Sequence, residues 1–490
     1  MKIKKLTRNH VILLIVINLT LKIFISPIYI DPPYIPHDFS GYIGTGKCMA
    51  EGKYLMWDCT SWATRVTPNS NFGPVYSIIT MFWYLTFGES FFMFKVLSIM
   101  FDVLNCIVFY FILRMYFNKE KSFYLSILFS LSFITIFSTA VLSNNGPIFL
   151  FFLFLSIYYM LNDRISLSAI FYSISIMTKT IPLSIFPILM LYIWKKYGSS
   201  NGLKYAILSS VVALIIILPF LFVVKLEDAL FSFIVFSKEH SFYQASGQMS
   251  FFNILRLSTN INLMYLNKYF LIGGYLLTLL FIFLRQMKNY ELELFRNINL
   301  IFVVGLLLGF YLQPYYLYNI FPFFILYAGY NGLISKNKYK FFYAGTFLIV
   351  LSLIIFSIIY RWGLVDYSEM DRLLLLLSTL LVPLGSFYQL KTVQKSYRTA
   401  WILIILAIVI FSELHAAPFE ILPLDFFGKW IDLNKMKVAM SLFGDHITSK
   451  GKFLAYGISY GGSAMIMWLG LIYFCYILLK DKFKDKKNII

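Results

Sequence analysis

Long apolar runs recur from one end of this 490-residue chain to the other. A run of about 20 apolar residues, coiled as an α-helix, matches the thickness of a bilayer's hydrocarbon core. The chain is 59% hydrophobic and 13% charged, whereas soluble domains are nearer half apolar and a quarter charged. The runs show no strict alternation of the kind that β-barrels need. The pattern therefore predicts an all-α, polytopic integral membrane protein.

The hydropathy pattern predicts about 14 transmembrane helices. The first follows the basic stretch MKIKKLTRNH and has no small-residue cleavage site after it, which indicates a retained signal anchor. The fifth and sixth spans are short and form either two crossings or one re-entrant pair. Residues 74–87 are predicted to be an interfacial or half-buried helix. The predicted spans are residues 11–28, 91–117, 123–141, 147–161, 166–178, 181–194, 205–224, 269–286, 297–312, 315–334, 341–360, 373–390, 399–414 and 455–479.

The distribution of charge predicts the orientation of these spans. The whole net charge of +19 falls on the terminal tails and on the loops of one side, while basic and acidic residues balance on the other side. The positive-inside rule makes the basic side cytoplasmic, so both termini of this cell-membrane protein are expected there. Topology and anionic lipid headgroups account for the basic excess, so it gives no reason to expect nucleic acid.

Three long loops are then external, namely residues 29–90, 225–268 and 415–454. The first two belong to residues 1–334, which carry most of the external polar clusters and are predicted to form the functional module. Residues 335–490 are predicted to be additional helices packed alongside, with the third external loop.

One external segment, SGYIGTGKCM, matches the G-x-x-x-x-G-K spacing of a nucleotide-binding loop at Gly41, Gly46 and Lys47. Its eighth position is Cys48, where a hydroxyl would be needed for magnesium, and no buried strand precedes it. We therefore predict a short amphipathic helix on the outer membrane surface instead.

The predicted helix has recognisable ends. Asp38 stands at its N-cap position and Gly52 can end it. Its glycines would allow another backbone or a ligand to approach closely. These glycines are Gly41, Gly44 and Gly46, and the apolar face comprises Phe39, Tyr42, Ile43, Gly46, Met49 and Ala50.

The four cysteines fall into two pairs by location. Cys106 and Cys475 lie within spans and are predicted to be packing residues. Cys48 and Cys59 share the first external loop, where an oxidising environment permits a disulfide or leaves two thiols.

Polar motifs follow one another in a definite order along residues 30–330. After Asp38 come CMAEGKYLMW and GPVYSII, then MTKTIP around Lys179, and finally LQPYYLYNIFP from Gln313 to Pro322. Each motif is loose, and their shared order carries the information. This order resembles the GT-C superfamily of membrane glycosyltransferases. Within it, the pattern is most similar to the mannosyltransferase that adds the first mannose to glycosylphosphatidylinositol, and to its prokaryotic relatives.

The resemblance implies a GT-C-like fold with amphipathic surface helices in the first external loop. It implies an inverting transferase for mannose or another hexose, whose co-substrate is a polyprenyl- or dolichyl-phosphate sugar and whose acceptor is a lipid or glycan. A small membrane subunit is a further implied partner, and the need for a divalent metal is left open. In such enzymes the acid of the first loop is the base, which would be Asp38.

Two departures bear on the acceptor. The close relatives carry a D-x-D pair, and here Pro36 replaces the first acid. Their second external loop is charged, whereas here it is mostly neutral. The candidate substrate-binding residues are His37, Lys179, His240, Tyr243, Gln244, Gln248, Arg256, Gln313 and Tyr315.

Each candidate has a second interpretation. Asp38 is either a general base or a helix cap, and Lys179 either meets a phosphate or snorkels to the interface. Asp102, inside a span, is either functional or paired with Lys95 two turns away. Arg256 binds phosphate or is a solvated loop charge, and the two histidines bind substrate or are ordinary loop residues.

A function of another class is a transporter or flippase of lipid-linked sugars without catalysis. Transporters usually show repeats, interrupted helices and polar residues at the membrane midplane. In this chain the polar residues gather in outer loops, which favours the enzyme.

The predicted topology can be tested by labelling introduced cysteines in intact cells. A membrane-impermeant thiol reagent should label cysteines at Ser70, Ser246 and Ser441 and should not label one at Ser335. Labelling of Ser335→Cys together with protection of Ser70→Cys would invert the topology.

Overall fold

The computed structural model describes residues 8–26, 37–52, 73–141, 144–221, 267–285, 289–308, 316–334, 339–361, 381, 384–416 and 463–480. Within these ranges the chain is helical and forms no β-strand. The all-α prediction is therefore confirmed.

The helices of the first half of the chain include one short π-helical segment and one 3₁₀ segment. They are α1 (Arg8–Ile25), α2 (His37–Ala50), α3 (Pro74–Phe87), α4 (Phe91–Arg114), α5 (Lys119–Ser130), α6 (Phe133–Ile136), the π segment Phe137–Val141, α7 (Gly146–Leu161), α8 (Ile165–Thr178), the 3₁₀ segment Ile181–Ile185, α9 (Phe186–Tyr197) and α10 (Ser199–Leu221).

The described helices of the second half are longer on average and are separated by wider gaps. They are α11 (Asn267–Leu284), α12 (Tyr290–Leu308), α13 (Leu317–Tyr330), α14 (Tyr339–Arg361), α15 (Lys395–Ala416) and α16 (Ser463–Lys480), with residues 384–390 also helical.

The chain forms two compact units. The first comprises Met1–Lys238, Ile282–Asn299 and Leu317–Asn331, and the second comprises Glu239–Phe281, Leu300–Tyr316 and Gly332–Ile490. These units are defined by compactness and do not delimit a catalytic module. The predicted boundary between a module of residues 1–334 and the helices of residues 335–490 therefore stays a prediction.

Two of the described helices are each long and apolar enough to cross a membrane, Phe91–Arg114 and Ser199–Phe220. The pair Lys119–Ser130 and Phe133–Ala140, bent by 50°, would make a third span if counted as one. Eight shorter apolar helices accompany them. The chain is an integral membrane protein, while the count of 14 spans stays a prediction.

The short fifth and sixth spans correspond to α8 and α9, joined through an extended break at Lys179. Pro182 follows Lys179 by three residues. A proline there cannot continue a regular helix from α8, which explains the break. The Tyr197 hydroxyl at the end of α9 donates to Asp163 Oδ1 before α8, at 2.6 Å. The start of α8 and the end of α9 therefore lie close together, and the two helices form a hairpin.

Helix α2 has the extent expected of it, with one correction at its start. It begins at His37, so Asp38 lies in the first turn of the helix and is not the N-cap. The predicted end is confirmed, since Gly52 has a φ of 73° and its N–H donates to the Met49 carbonyl at 3.2 Å. The nucleotide-loop pattern is thus part of a regular helix.

The buried face of α2 lies on α3. A Cβ on Gly46 would stand 2.5 Å from the Thr80 carbonyl oxygen, so only glycine allows this approach of the two backbones. Lys47 donates to Glu89 at 2.6 Å, and this hydrogen bond raises the pKa of Lys47. Cys48 is disulfide-bonded, whereas its predicted partner Cys59 lies outside the described residues.

The other two cysteines, Cys106 and Cys475, are free thiols. Their predicted role as packing residues agrees with the full burial of Cys106 and the partial burial of Cys475.

The expected pairing of Asp102 with Lys95 is wrong. Asp102 forms an ion pair with Lys22 of α1, and both side chains are fully buried. Seven residues separate Lys95 from Asp102, which is about 10.5 Å along a helix axis, so the two cannot meet. Lys22 approaches from the neighbouring helix at the same depth.

The contact at Gly46 predicts opposite effects of two alanine substitutions in helices. Gly46→Ala should lower the melting temperature in detergent, because overpacking costs about 1–3 kcal/mol and outweighs a helix-propensity gain of about 1 kcal/mol. In Gly305→Ala the new Cβ meets no described atom within 4 Å, so this control should melt at or above wild type. A Gly46→Ala protein that melts above wild type would refute the close approach.

Candidate functional site

The start of α7 is built from the sequence SNNGP and is buried within the first unit. Asn144 Oδ1 accepts a hydrogen bond from the Gly146 N–H at 2.5 Å. Pro147 follows in the first turn, where a missing N–H costs nothing. Asn145 stands at the N-cap position but its side chain makes no capping bond. Its amide is therefore directed to another group.

That group is Lys179, at the end of α8. Its Nζ donates to Asn145 Oδ1 at 2.8 Å, and the side chain is only 7% exposed. The backbone of Lys179 is extended, with φ −156° and ψ 144°, so the helix stops there and the side chain turns toward α7. Of the two interpretations of Lys179, snorkelling to the interface does not fit a side chain that is buried against α7.

A third asparagine approaches the same turn from α13. Asn319 is 4% exposed, and its Oδ1 has no hydrogen-bond partner in the described part of the chain. This oxygen lies 3.4 Å from the position that a Cβ on Gly146 would occupy. Gly146 thus gives Asn319 access to the backbone at the beginning of α7, where any side chain would fill the space.

Three of the motifs identified in the sequence, GPVYSII, MTKTIP and LQPYYLYNIFP, place residues around this turn. The N–H of Gly73, which precedes α3, donates to the Thr178 carbonyl at 3.0 Å, and Ser98 of α4 donates to the Asn144 carbonyl at 2.7 Å. Apolar side chains of α2, α3, α4 and α7 pack together beside these bonds. They are Ile43, Tyr76, Phe94, Leu97 and Ile148.

The arrangement suits an anion. A helix N-terminus carries partial positive charge on its free N–H groups, and here it is joined by a buried lysine ammonium. In a site shielded from water these charges act more strongly than at a surface. Amide side chains such as those of Asn145 and Asn319 can donate or accept as the ligand requires. We call Asn144, Asn145, Gly146, Lys179 and Asn319 the α7 turn cluster.

The structure brings one predicted site residue, Lys179, into this cluster. His37 and Asp38 lie in the first turn of α2, which the structure describes by its backbone. The remaining predictions fall outside the described residues and stay predictions. They concern His240, Tyr243, Gln244, Gln248, Arg256, Gln313 and Tyr315.

Sequence reasoning did not single out the three asparagines of the cluster. Asn144 and Asn145 stand in SNNGP, where Asn before Gly-Pro marks a helix start. Asn319 stands in LYNIFP, an amide inside an otherwise apolar span. Polar residues at the ends of predicted spans could have pointed to these asparagines. The sequence does not tell which of those residues lie together in the folded chain.

Among the described residues, no group of three or more His, Cys, Asp or Glu is arranged to hold a metal ion.

The fold and the cluster define an all-α integral membrane protein with a buried, positively charged turn. No protein-family model matches the chain, and no curated protein matches it. Among solved structures it is similar to ArnT from Cupriavidus metallidurans bound to undecaprenyl phosphate, with a TM-score of 0.46 and 15% identity, over 96% of this chain and 79% of that chain. The apo state of the same protein gives a TM-score of 0.42 and 14% identity, over 95% and 76%.

Proposed function

We propose that this protein is a membrane glycosyltransferase that takes its sugar from a polyprenyl-phosphate donor. The sugar, a mannose or another hexose, passes to a lipid- or glycan-linked acceptor on the external face. The sugar type rests on the motif resemblance alone.

The observation that carries the proposal is the convergence of the ordered motifs on Lys179. GPVYSII begins α3 and is bonded to the end of α8, and LYNIFP places Asn319 beside the turn that receives Lys179. Motifs far apart in sequence thus contribute residues to the turn that receives one buried cation. This is the expected arrangement if the motifs serve a single anionic substrate.

The depth of Lys179 suits a lipid-bound phosphate. Helix α8 has 14 residues, which extend about 21 Å, whereas the hydrocarbon core is about 30 Å thick. Starting from the inner boundary, α8 therefore ends below the outer headgroups. A cation at this depth needs anions or dipoles around it. A donor phosphate, held near the interface by its polyprenyl tail, would add an anion to the Asn145 amide that Lys179 already contacts.

The proposed reaction is a single displacement. The acceptor hydroxyl oxygen attacks the anomeric carbon, its proton passes to the Asp38 carboxylate, and the bond from the anomeric carbon to the phosphate oxygen breaks with both electrons leaving on the phosphate. Configuration at the anomeric carbon inverts. Lys179 and the start of α7 would stabilise the charge gained by the leaving phosphate.

The neutral second external loop would then hold the sugar and the acceptor. His240, Tyr243, Gln244 and Gln248 offer hydrogen bonds suited to hydroxyl groups. Arg256 is proposed as a further phosphate contact. Gln313 and Tyr315 precede α13 and would complete the donor site near Asn319.

The decisive experiment is a transfer assay. Purified protein is incubated with a panel of radiolabelled polyprenyl-phosphate sugars and native lipid extract, and the product is examined for covalently transferred label. Movement of intact donor across vesicles without transferred label would instead indicate the flippase function.

Lys179→Met should raise the donor KM by about tenfold or more, because a charge-assisted hydrogen bond to phosphate is lost. The melting temperature should change little, since methionine retains the apolar stem. The matched control is Lys121→Met, which removes a partly buried lysine that donates to the Gly329 carbonyl at 3.3 Å. The control should leave the donor KM unchanged, and equal KM values for wild type and Lys179→Met would exclude the phosphate role.

Asp38→Asn should reduce turnover by two or more orders of magnitude while donor binding persists, because a general base contributes about 10²–10⁴-fold. If Asp38 only compensates the helix dipole, its removal costs about 0.3–1 kcal/mol of stability and little activity. Turnover and undecaprenyl-phosphate binding are measured on the same preparation. Retention of more than about a tenth of wild-type turnover would leave Asp38 with a structural role.

A further inference from the structure

Directly beside the α7 turn cluster lies a second group of polar side chains, wholly inside the first unit. We call Lys22, Asp102, Asn105 and Tyr318 the buried network. Each is at most 1% exposed, and they come from α1, α4 and α13. The two Asp102 oxygens are both used, since Oδ2 accepts from Lys22 and Oδ1 accepts from the Tyr318 hydroxyl at 2.6 Å.

Asn105 connects this network to the start of α7. Its Nδ2 donates to the Pro147 carbonyl at 2.8 Å and to the Tyr318 hydroxyl at 3.1 Å. Pro147 is in the first turn of α7, and Tyr318 is in the first turn of α13. One amide group therefore joins the two helix starts.

These two turns also carry the α7 turn cluster. Asn145 and Gly146 precede Pro147, and Asn319 follows Tyr318 in the sequence. A shift of either turn would change the distance between Asn319 and Gly146, where a Cβ would stand 3.4 Å from the Asn319 Oδ1. The position of the cluster is thus tied to the position of the network.

We propose that the buried network is a positioning device for the phosphate site, with Asp102 and Tyr318 as positioning residues. This inference rests on the proposed function, because it assigns the α7 turn cluster to phosphate. Asp102 lies within reach of Lys22 and of the Tyr318 hydroxyl, and the Asn105 Nδ2 donates to that same hydroxyl. The Tyr318 hydroxyl must then donate to Asp102 and accept from Asn105, and this fixes its ring and the start of α13.

A purely stabilising role predicts different behaviour. Buried ion pairs often contribute little net stability, because desolvation opposes their attraction. If the network only stabilised the fold, its loss would lower the melting temperature without changing the affinity of the remaining folded protein for a phosphate ligand. Affinity per folded molecule therefore separates the two roles.

The first test removes one hydroxyl. Tyr318→Phe keeps the ring but breaks both hydrogen bonds, and Tyr327→Phe makes the same change farther along α13. Undecaprenyl phosphate without a sugar is the ligand, titrated against full-length protein in nanodiscs. Tyr318→Phe should bind it about tenfold more weakly, as expected when a rigid hydrogen-bonded arrangement is lost. Tyr327→Phe should bind within about twofold of wild type, since it is remote from both turns.

The second test separates the hydrogen-bond acceptor from the charge. The double variant Lys22→Met with Asp102→Asn removes both charges but keeps an oxygen that accepts from Tyr318. Lys22→Met with Asp102→Leu removes the acceptor as well. The first should retain affinity close to wild type, and the second should resemble Tyr318→Phe. Equal affinities of the two double variants would overturn the positioning role.

Hydrogen exchange of the same proteins gives a readout that does not depend on the ligand. Tyr318→Phe should accelerate exchange in residues 144–150 and 316–322 and leave residues 154–161 unchanged. Unchanged exchange in the first two segments would overturn the inference.

The proposed function can fail separately. If Lys179→Met binds undecaprenyl phosphate as tightly as wild type, the phosphate site is wrong, and the positioning role tied to it falls as well. If Lys179→Met loses binding while Tyr318→Phe retains wild-type affinity, the phosphate site stands and the positioning role is refuted.

Discussion

A polar group inside a bilayer must find its partner within the protein, and this constraint governs the first unit. The Lys22 ammonium and the Asp102 carboxylate would each be costly alone in hydrocarbon. Their burial is stabilised because α1 and α4 bring them together and because the Tyr318 hydroxyl donates a hydrogen bond to the second carboxylate oxygen. The helices that meet there are consequently fixed at one depth relative to one another.

The two polar groups of the first unit are satisfied in different ways. In the buried network both Asp102 oxygens and the Tyr318 hydroxyl are paired, while Asn105 Oδ1 has no partner in the described part of the chain. In the α7 turn cluster, Asn319 keeps an amide oxygen without a partner in the described part of the chain, and the capping function of Asn145 is unused. Paired groups such as the Asp102 carboxylate specify structure, whereas an unpaired oxygen such as that of Asn319 is where a ligand can be accommodated.

Much of the fold could be predicted because hydropathy and helix-end residues act locally. A helix is predicted at residues 74–87, which are the bounds of α3, and Gly52 is predicted to end α2. The partners of buried polar side chains could not be predicted in this way. The sequence places Asp102 and Lys95 on one helical face, but the pairing was decided by Lys22, 80 residues away. Likewise, Lys179 was predicted as a site residue, whereas its asparagine neighbours depend on how α7, α8 and α13 pack.

The disulfide at Cys48 has a consequence for how the protein matures. Cytoplasmic thiols are kept reduced, and disulfides form in oxidising compartments. On the predicted topology, α2 is synthesised on the reducing side and gains its covalent bond only after translocation. The helix that carries Asp38 then reaches its final covalent state on the external side, so a chain that fails to translocate this loop remains an immature precursor.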